Sequence, residues 1–394
     1  MAQDSTAERV RRAMRDEVLD HVRRHGSASR PELESVLGMS RPTVAAVAQE
    51  LLDSDLLTEH QGTGAGRGRP GRRLLPQYPP GAVVGVDLGH RHLGVAVATF
   101  DLTVQAEARS EVDVDGDPDA ALSTVARLIR RLVDEVEADL RAHGTGTGLV
   151  TTCVAGVPGP LNAARQAVAS PTILAGWSAL DLAGELSERT GLTVHLDNDA
   201  NLGALAEHRH GAARGNDNVI YVKASDGVGA GLIINGSPVH GSSGAAGEIG
   251  HTQITQDGAW CRCGNRGCLE TIVSTQQILH QMAHLRPGES GPPPRLHEFA
   301  DHPVARKIFA ESGRTLGRVL ANLCALLDPA TVVIGGEMSQ ADAFVDGIRD
   351  SVRRLAQPGF DDRVQVSPAA LGLRAELVGS LTLARDIALR AALT

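Results

Sequence analysis

The chain has 394 residues, of which 42% are apolar and 22% charged, and its net charge is −9 at pH 7. This composition is typical of globular proteins, and the length predicts roughly two to three domains. The negative charge excludes nucleic-acid binding by bulk electrostatics. Because no apolar stretch approaches the roughly 20 residues of a membrane span and residues 1–10 lack the apolar core of a secretory signal, we expect a cytoplasmic protein that contacts no membrane.

The first 57 residues predict three short helices. The first carries an apolar stripe at helical spacing, formed by Val10, Met14, Val18 and Val22. The second begins with the capping box Ser29–Glu32 and ends at Gly38. The third begins at Ser40–Thr43 and buries one face, formed by Val44, Val47, Leu51 and Leu52. Two short helices separated by about three residues are typical of a helix-turn-helix.

A hairpin follows the helices. Residues Leu56–His60 and Arg72–Pro76 are predicted to pair as strands, with a tip from Gly62 to Gly71. Adding this hairpin to the three helices predicts a winged helix. Residues 60–80 contain four arginines and no acidic residue, so the wing supplies the local positive charge that binding to phosphates requires.

The winged helix offers two DNA-contacting elements. The helix over residues 41–54 presents Arg41, Thr43 and Gln49 to the major groove and the backbone. The segment Arg67–Pro70 resembles the core of an AT-hook, whose arginines fit a narrow minor groove. The predicted DNA-binding residues are Arg41, Thr43, Arg67, Arg69 and Arg72. Two alternatives remain, namely a passive basic loop and a winged helix that binds a protein.

Beyond a linker at Tyr78–Gly81, strands alternate with helices in two similar units. The first unit has predicted strands at 82–88, 93–100, 103–108, 149–156 and 193–196, and helices over about 117–142 and 179–190. In the second unit, the predicted strands are 219–223, 232–235 and 331–334. A glycine-rich turn is predicted at 226–231 and a tight hairpin turn at Asn235–Gly236. The predicted helices cover about 303–327, 340–356 and 378–392. Two such units predict a two-lobed α/β fold with a ligand cleft between the lobes.

A His/Cys cluster lies in the second unit. His251, Cys261, Cys263 and Cys268 have the spacing H-x9-C-x-C-x4-C, and one imidazole with three thiolates suits a closed tetrahedral zinc site. The intervening segment Gly264–Gly267 permits the tight turn that brings the sulfurs together. The alternative is a loop of reduced cysteines without metal. We predict one structural Zn²⁺ per chain.

Acidic and amide residues surround this cluster. Glu248 lies in the glycine-rich segment before it, and Glu270 lies just after it. Asn198 and Asp199 follow a predicted strand and open a helix, where they can bind neighbouring hydroxyl groups, and Asp199 can act as a general base toward a hydroxyl. The alternatives are a solvated turn for Glu248 and a simple helix cap for Asn198–Asp199.

Together the run Cys-x-Cys-Gly-x-x-Gly-Cys-x-Glu at 261–270, the run Gly-Glu-Ile-Gly-His at 247–251 and Asn198–Asp199 resemble the ROK family (repressors, open reading frames and sugar kinases). The resemblance covers about residues 82–394, and the winged helix extends it to the repressor branch. It implies a two-lobed actin-like (ribonuclease-H-like) sugar kinase fold that forms a homodimer or homotetramer. The sugar-contacting residues that it implies are Asn198, Asp199, Glu248, His251 and Glu270, near a substrate loop at Gly156–Pro160. His251 would then join zinc and sugar through its two ring nitrogens.

This organisation gives three domains. We assign residues 1–78 to a winged helix-turn-helix DNA-binding domain. Residues 82–196, with the C-terminal helix at about 378–394, form the first α/β lobe. Residues 197–377 form the second lobe, which contains the four predicted zinc ligands.

The two phosphate-binding turns distinguish a kinase from a repressor. The kinases of the family carry Asp-x-Gly-Gly-Thr at the first turn, whereas this chain has His90 and Arg91 in place of the second glycine and the threonine. At the second turn, where the kinases resemble Gly-Thr-Gly, Ser225–Gly227 places a carboxylate near the phosphate path. Gly335–Gly336 does match the kinases.

We therefore expect a sugar-responsive DNA-binding transcriptional regulator, a repressor of carbohydrate-utilisation genes, and not an enzyme. Its partners would be a double-stranded DNA operator and a small sugar effector. The alternative is an ATP-dependent ROK sugar kinase of the hexokinase or glucokinase type, with Asp199 as the base. A third alternative is a sensor that binds a protein partner.

Overall fold

The computed structural model describes residues 6–61, 71–112, 114, 116–142, 150–162, 167–169, 176–177, 180–285, 295–357, 359 and 362–391. The chain divides into two compact units, Met1–Pro80 and Gly81–Thr394. None of the described helices combines the length and the apolar character that crossing a membrane requires.

The first unit contains three helices and a hairpin. Its elements are α1 (Thr6–His25), α2 (Arg30–Leu37), α3 (Arg41–Asp53), β1 (Leu57–Gln61) and β2 (Arg72–Pro76). The capping box at Ser29 and Glu32 is confirmed, and α2 stops at Gly38, which adopts the left-handed conformation. Strands β1 and β2 pair antiparallel, with Leu57 opposite Pro76. The helix-turn-helix and the hairpin are therefore present as predicted, while residues 62–70 of the tip lie outside the described residues.

Burial in this unit differs from the predicted pattern at three positions. The core contains Val18, Val22, Val44 and Leu51, but Val10 is 48% exposed, and Met14 and Leu52 are only half-buried. Helix α1 is 20 residues long, so its first turns extend beyond the helices and the hairpin that cover its C-terminal half. The apolar stripe predicted α1 correctly and overestimated how much of α1 is buried.

The second unit begins with a five-stranded sheet. Its strands are β3 (Ala82–Leu88), β4 (His92–Thr99), β5 (Val104–Glu111), β6 (Val150–Val157) and β7 (Thr193–Asn198), in the spatial order β5-β4-β3-β6-β7. Strands β3, β4 and β5 form an antiparallel meander, and β6 and β7 continue the sheet in parallel with β3. Helices α4 (Pro118–Ala142) and α5 (Leu182–Thr190) cover one face. All residues of β3 are buried, as expected for a sheet that is covered on both faces.

A second five-stranded sheet repeats this arrangement. It contains β8 (Val219–Ala224), β9 (Val228–Ile234), β10 (Ser237–Pro238), β11 (Thr331–Gly335) and β12 (Gln365–Pro368), in the order β10-β9-β8-β11-β12. Again three antiparallel strands are followed by two parallel ones. The helices of this part are α6 (Asp199–His210), α7 (Glu270–Val273), α8 (Thr275–Met282), α9 (Pro303–Leu327), α10 (Asp342–Leu355) and α11 (Ala375–Ala391). The duplicated strand order is that of the actin-like fold.

Helices α6 and α11 connect the two sheets. Leu202 of α6 and Leu377 of α11 pack into a core with the first sheet, whereas Ala204 of α6 and Ala375 of α11 pack into a core with the second sheet. The two lobes are therefore joined through a shared pair of helices, and the cleft opens beside them.

The glycine-rich segment after β8 is mostly strand, whereas the sequence predicted a turn over residues 226–231. Strand β9 already begins at Val228. A Cβ atom on Gly231 would lie only 2.2 Å from the carbonyl oxygen of Ala200. Glycine is needed here because α6 packs directly on the backbone of β9, so it reflects close packing and not a turn. The predicted turn at Asn235–Gly236 is confirmed, with φ of 50° and 71°.

Candidate functional site: a cleft between two lobes

A cleft of about 1410 Å³ lies between the two lobes. Its walls come from the turn after β3, the ends of β6 and β7, the turn between β8 and β9, and the segments on either side of the Cys-rich loop (residues 252–269). All five predicted sugar-contacting residues line it: Asn198, Asp199, Glu248, His251 and Glu270. The fold thus brings together side chains that lie on three separate segments of the sequence.

Asn198 is the N-cap of α6. Its Oδ1 atom accepts hydrogen bonds from the backbone N–H groups of Ala200 and Asn201, and its Nδ2 atom donates to the carbonyl oxygen of Gly159 at 3.0 Å. The capping role that the sequence left open is therefore present. The same side chain also ties the loop after β6 to the start of α6, so it positions one wall of the cleft.

Asp199 forms a buried ion pair that the sequence did not reveal. Lys223 of β8 donates from Nζ to Asp199 Oδ2 at 2.8 Å, and both side chains are only 11% exposed. Burial alone lowers the pKa of Lys223, but the carboxylates of Asp199, Glu376 and Asp87 outweigh it and raise that pKa above its ordinary value. The ammonium group therefore stays charged. The sequence signal that could have revealed it is a lysine, one of two in the chain, within an otherwise apolar strand.

Asp87 continues this charged cluster at the end of β3. It is 4% exposed, and its Oδ2 atom lies 3.0 Å from Nε2 of His92. Burial raises the pKa of Asp87, but the hydrogen bond from His92 and the charges of Lys223, His92 and Arg109 together lower it. Its other oxygen, Oδ1, has no hydrogen-bond partner among the described residues.

The two glutamates lie on the second lobe. Glu270 accepts a hydrogen bond from the backbone N–H of Val228 at 3.1 Å, and its other oxygen lies 3.2 Å from Nε of Arg262. Burial, together with the charges of Asp199 and Glu270, raises the pKa of Glu248 to about 7. Carboxylate oxygens that converge in this way are suited to accept hydrogen bonds from the hydroxyl groups of a small polar ligand.

The four predicted metal ligands come together in space. Their donor atoms all lie within 4.8 Å of one another; Cys261 Sγ is 3.5 Å from His251 Nδ1, and Cys263 Sγ is 3.7 Å from Cys268 Sγ. Tetrahedral Zn–S bonds of about 2.3 Å place two sulfurs about 3.8 Å apart. The donor set and its spacing therefore fit a zinc ion.

The metal cluster adjoins the cleft directly. The Nδ1 atom of His251 faces the cysteines, while Nε2 lies 3.8 Å from Oε2 of Glu248. Gly267 lets the loop close on itself, since a Cβ atom there would lie 1.8 Å from the carbonyl oxygen of Thr255, and its φ is +67°. The loop thus presents one nitrogen of His251 to the metal cluster and the other to the cleft.

Two turns match the phosphate-binding turns of the kinases in sequence position, and we call them the phosphate-type turns (residues 87–91 and 225–227). Side-chain contacts and internal hydrogen bonds form at both. At the first turn, the N–H of Gly89 donates to the carbonyl oxygen of His92. A Cβ atom built on Gly227 of the second turn would lie 3.7 Å from His90 Nε2, so the imidazole covers that turn. Arg91 Nε lies 3.7 Å from Asp226 Oδ2, across the cleft. The residues that replace the kinase pattern therefore lie against the second turn, His90 beside Gly227 and Arg91 beside Asp226.

Three of the five predicted DNA-binding residues are described, and they lie on α3 and β2 of the first unit. Arg41 is exposed at the start of α3, and the Thr43 hydroxyl lies 2.8 Å from that of Ser40. Arg72 donates from Nη1 to Glu59 Oε2 at 2.6 Å across the hairpin, with its side chain 68% exposed. Arg67 and Arg69 lie outside the described residues.

Two lobes of identical strand order around a polar cleft define a protein with the actin-like sugar kinase fold. The model of the ROK family matches residues 83–387, which is most of the chain. The chain belongs to the ROK family, as its cysteine-rich motif predicted.

Known proteins match the chain over different extents. The DNA-binding transcriptional repressor Mlc of Escherichia coli is 27% identical over 90% of this chain and 88% of that repressor. A glucokinase of Halalkalibacterium halodurans is 31% identical, but over 75% of this chain and 92% of its own length. Among solved structures, a ROK family transcriptional regulator homologous to Mlc covers 96% of both chains, with a TM-score of 0.72 and 26% identity. The repressors match nearly the whole chain, and the glucokinase leaves a quarter of it unmatched.

Proposed function

We propose that this protein is a sugar-responsive transcriptional repressor of carbohydrate-utilisation genes. Its actin-like domain would serve as the sensor, and its winged helix (residues 1–78) would bind the operator. The observation that carries the sensor role is the pair of phosphate-type turns, in which His90 covers Gly227 and Arg91 faces Asp226. Relatives that match nearly the whole chain are transcriptional regulators, which supports the same proposal.

Phosphoryl transfer needs free backbone N–H groups and a positive environment for the nucleotide phosphates. Here the N–H of Gly89 is used within its own turn, and the Asp226 carboxylate lines the phosphate side of the cleft. Asp199, the residue that would act as base, is held by Lys223 at one oxygen and by the N–H of Ala200 at the other. These features favour a ligand sensor over an enzyme.

We infer that the effector is an uncharged sugar bound by Asn198, Asp199, Glu248, His251 and Glu270. The carboxyl groups of Asp199, Glu248 and Glu270 influence one another electrostatically, so an anionic ligand such as a sugar phosphate would be repelled. Neutral hydroxyl groups can instead donate to the carboxylate oxygens. The effector then spans both lobes, since Asn198 caps the helix shared between them and Glu270 belongs to the second lobe.

A structural zinc ion would keep this site in place. His251, Cys261, Cys263 and Cys268 would hold it, and all four coordination positions would be filled by protein, so no bound water would be activated. The metal would supply rigidity to the segment from Glu248 to Glu270. One ion per chain is expected.

For DNA binding we propose Arg41 and Thr43 at the start of α3 and the wing arginines Arg67, Arg69 and Arg72. A homodimer, or a homotetramer built from two dimers, would place two winged helices on two half-sites of one operator. Arg69→Ala is expected to weaken operator binding and to lower the slope of log K against log salt by about one unit per lost phosphate contact. Arg141→Ala is the control, because Arg141 is exposed and belongs to α4 of the other unit.

The direct test is operator binding to the DNA upstream of the protein's own gene, measured with and without a panel of neutral sugars and sugar phosphates. We expect one neutral sugar to change operator affinity by roughly 5- to 150-fold, and the sugar phosphates to have no effect. Mass photometry of the complex gives the number of chains per operator.

The alternative, a sugar kinase, is favoured by two observations: Asp199 is retained within the cleft, and a glucokinase is 31% identical. An ATP-coupled assay over the same sugars separates the two functions. Turnover that Asp199→Asn abolishes would establish the kinase and contradict the proposed sensor role.

A further inference from the structure

Arg262 contacts both lobes from the middle of the Cys-rich loop. It lies between Cys261 and Cys263, and its guanidinium group uses two different nitrogens. Nε lies 3.2 Å from Oε1 of Glu270 on the second lobe, and Nη1 lies 3.4 Å from Nε2 of His90 on the first lobe. A guanidinium has several donors in a fixed planar arrangement, so one arginine can hold both partners at once, whereas a lysine ammonium on a flexible stem is less suited to do so.

Both partners of Arg262 are firmly held by their own lobes. Glu270 is 8% exposed, and its second oxygen is occupied by the N–H of Val228. The carbonyl oxygen of His90, which is 8% exposed, accepts from the N–H of Val114. The fully buried Trp177 in turn donates to the carbonyl of Val114 at 2.9 Å. Because the backbone of His90 and the side chain of Glu270 are each held within their own lobe, opening the cleft would move the His90 ring away from Arg262.

The contact between Arg262 and His90 lies between the proposed sugar site and the phosphate-type turns. A Cβ atom on Gly227 would be 3.7 Å from both Glu270 Oε2 and His90 Nε2, so the two side chains converge over one glycine. Among the described residues that line the cleft, two other ion pairs join the lobes, Arg91–Asp226 and Arg295–Glu111, but their arginine side chains are 63% and 71% exposed. The pair His240–Asp197, at 3.0 Å, also joins the lobes but does not line the cleft. Exposed pairs contribute little to an equilibrium because solvent and salt screen them.

We propose that Arg262 is the positioning residue that couples occupancy of the sugar site to closure of the two lobes. This inference rests on the proposed sensor function. In the closed arrangement, Arg262 orients the Glu270 carboxylate toward the sugar and contacts His90 at the same time. In the open arrangement, the contact with His90 is broken. Sugar and the Arg262–His90 contact therefore favour the same state, so each strengthens the other.

The test uses variants that remove the contact from either side and leave every proposed sugar ligand in place. His90→Ala removes the first-lobe partner, and Arg262→Lys keeps a cation beside Glu270 without the two-pronged reach. Sugar affinity is measured by calorimetry, and operator affinity by fluorescence anisotropy with and without saturating sugar. We expect both variants to bind sugar about 5-fold or more weakly and to lose a similar factor of the sugar response.

Arg266→Gln is the matched control, because Arg266 lies on the same loop, is exposed and stacks over Trp260 at 5.0 Å. It should bind and respond as the wild type does. The double variant Arg262→Gln/His90→Ala should be no more impaired than Arg262→Gln alone, since both changes remove one contact. Zinc content by elemental analysis identifies any variant in which the Cys-rich loop no longer folds. For such a case the test rests on His90→Ala, which leaves the sequence of the loop unchanged.

A His90→Ala variant with wild-type sugar affinity and a full operator response would overturn the inference, as would losses that multiply in the double variant. These results differ from failure of the proposed function. If the wild-type protein neither binds a sugar nor changes operator affinity with one, the sensor role itself is wrong. A wild type that responds while His90→Ala responds equally refutes the role of Arg262 alone.

Discussion

At the residue scale, the centre of the cleft depends on a lysine surrounded by acids. Lys223 contacts Asp199 directly, and the charges of Glu376 and Asp87 also act on it. Glu376 is itself buried and accepts a hydrogen bond from the Tyr221 hydroxyl at 2.8 Å, and burial raises its pKa. One cation thus compensates several buried carboxyl groups, which makes it hard to replace.

Lys223→Met is expected to lower the free energy of unfolding by about 3–5 kcal/mol, since removing one partner of a buried pair leaves the other uncompensated. Denaturant unfolding monitored by circular dichroism measures this loss. Lys307→Met is the control, because Lys307 is the other lysine of the chain and is exposed on α9. Equal stability of the two variants would contradict the role assigned to Lys223.

The pair Asp87–His92 predicts a pH dependence of stability. Burial lowers the pKa of His92, but the hydrogen bond and charge of Asp87 outweigh it and raise that pKa above the ordinary value of 6.5. The protonated ring therefore stabilises the folded state. This contribution is complete below about pH 6.5 and disappears as the pH rises through the raised pKa.

His92→Gln should therefore cost more stability at pH 6 than at pH 9. The effect is small, because the His92 side chain is half exposed and solvent screens the pair. Unfolding curves of both proteins at the two pH values give the difference. A cost that is the same at both pH values would mean that the pair does not act through the charge of His92.

At the element scale, the Cys-rich loop organises the second lobe around the cleft. The loop folds back so that Gln253 pairs with Cys268 and Trp260 with Arg266 in isolated bridges. Gly247 allows the preceding segment to approach β9, since a Cβ atom there would lie 1.8 Å from the carbonyl oxygen of Ala230. The loop is short and has few apolar side chains, so the proposed metal would add to the order that these bridges supply.

Removing the metal is expected to loosen this loop. Cys263→Ser, or treatment with a zinc chelator, should abolish zinc binding and weaken sugar binding, because Glu248 and Glu270 flank the metal cluster. Operator affinity without sugar should not change. Cys324→Ser, which alters a half-buried cysteine on α9 outside the cluster, should retain zinc and sugar affinity. Retention of one zinc per chain by Cys263→Ser would contradict the assigned ligands.

At the scale of the whole molecule, sensing requires that the two lobes respond to a ligand held between them. Helices α6 and α11 pack on both sheets, so a change of lobe angle must be accommodated there. A sugar shifts this equilibrium only by its differential affinity for the open and closed states, typically about 1–3 kcal/mol. If the proposed function holds, DNA would by reciprocity change sugar affinity by the same factor.

Asp199→Ala is expected to retain operator binding and to lose the sugar response. Asp199→Asn, which keeps the shape of the side chain, separates loss of the ligand contact from loss of the partner of Lys223. Anisotropy titrations of operator DNA with and without sugar measure both variants. A wild-type response in Asp199→Ala would place the effector outside this cleft.

Local signals in the sequence determined much of this protein. The capping box of α2, the glycine turn at Asn235–Gly236 and the spacing of the four metal ligands each act within about 20 residues, and each has the predicted form in the structure. The alternation of strands with helices was sufficient to predict the duplicated lobes. These features depend on backbone geometry and side-chain chemistry that neighbouring residues already specify.

Only the tertiary structure shows which side chains contact one another in the cleft. Asp199 and Lys223 are 24 residues apart, and His90 and Arg262 are 172 residues apart. A lysine in an apolar strand indicates that Lys223 needs a partner, but no local signal identifies which residue it is. The short strand β12 and helices α7 and α8 were also missed, because each has at most eight residues, too few to repeat an apolar pattern. A buried charge is tolerated only where the folded chain supplies its partner, and that partner is chosen by packing between distant segments.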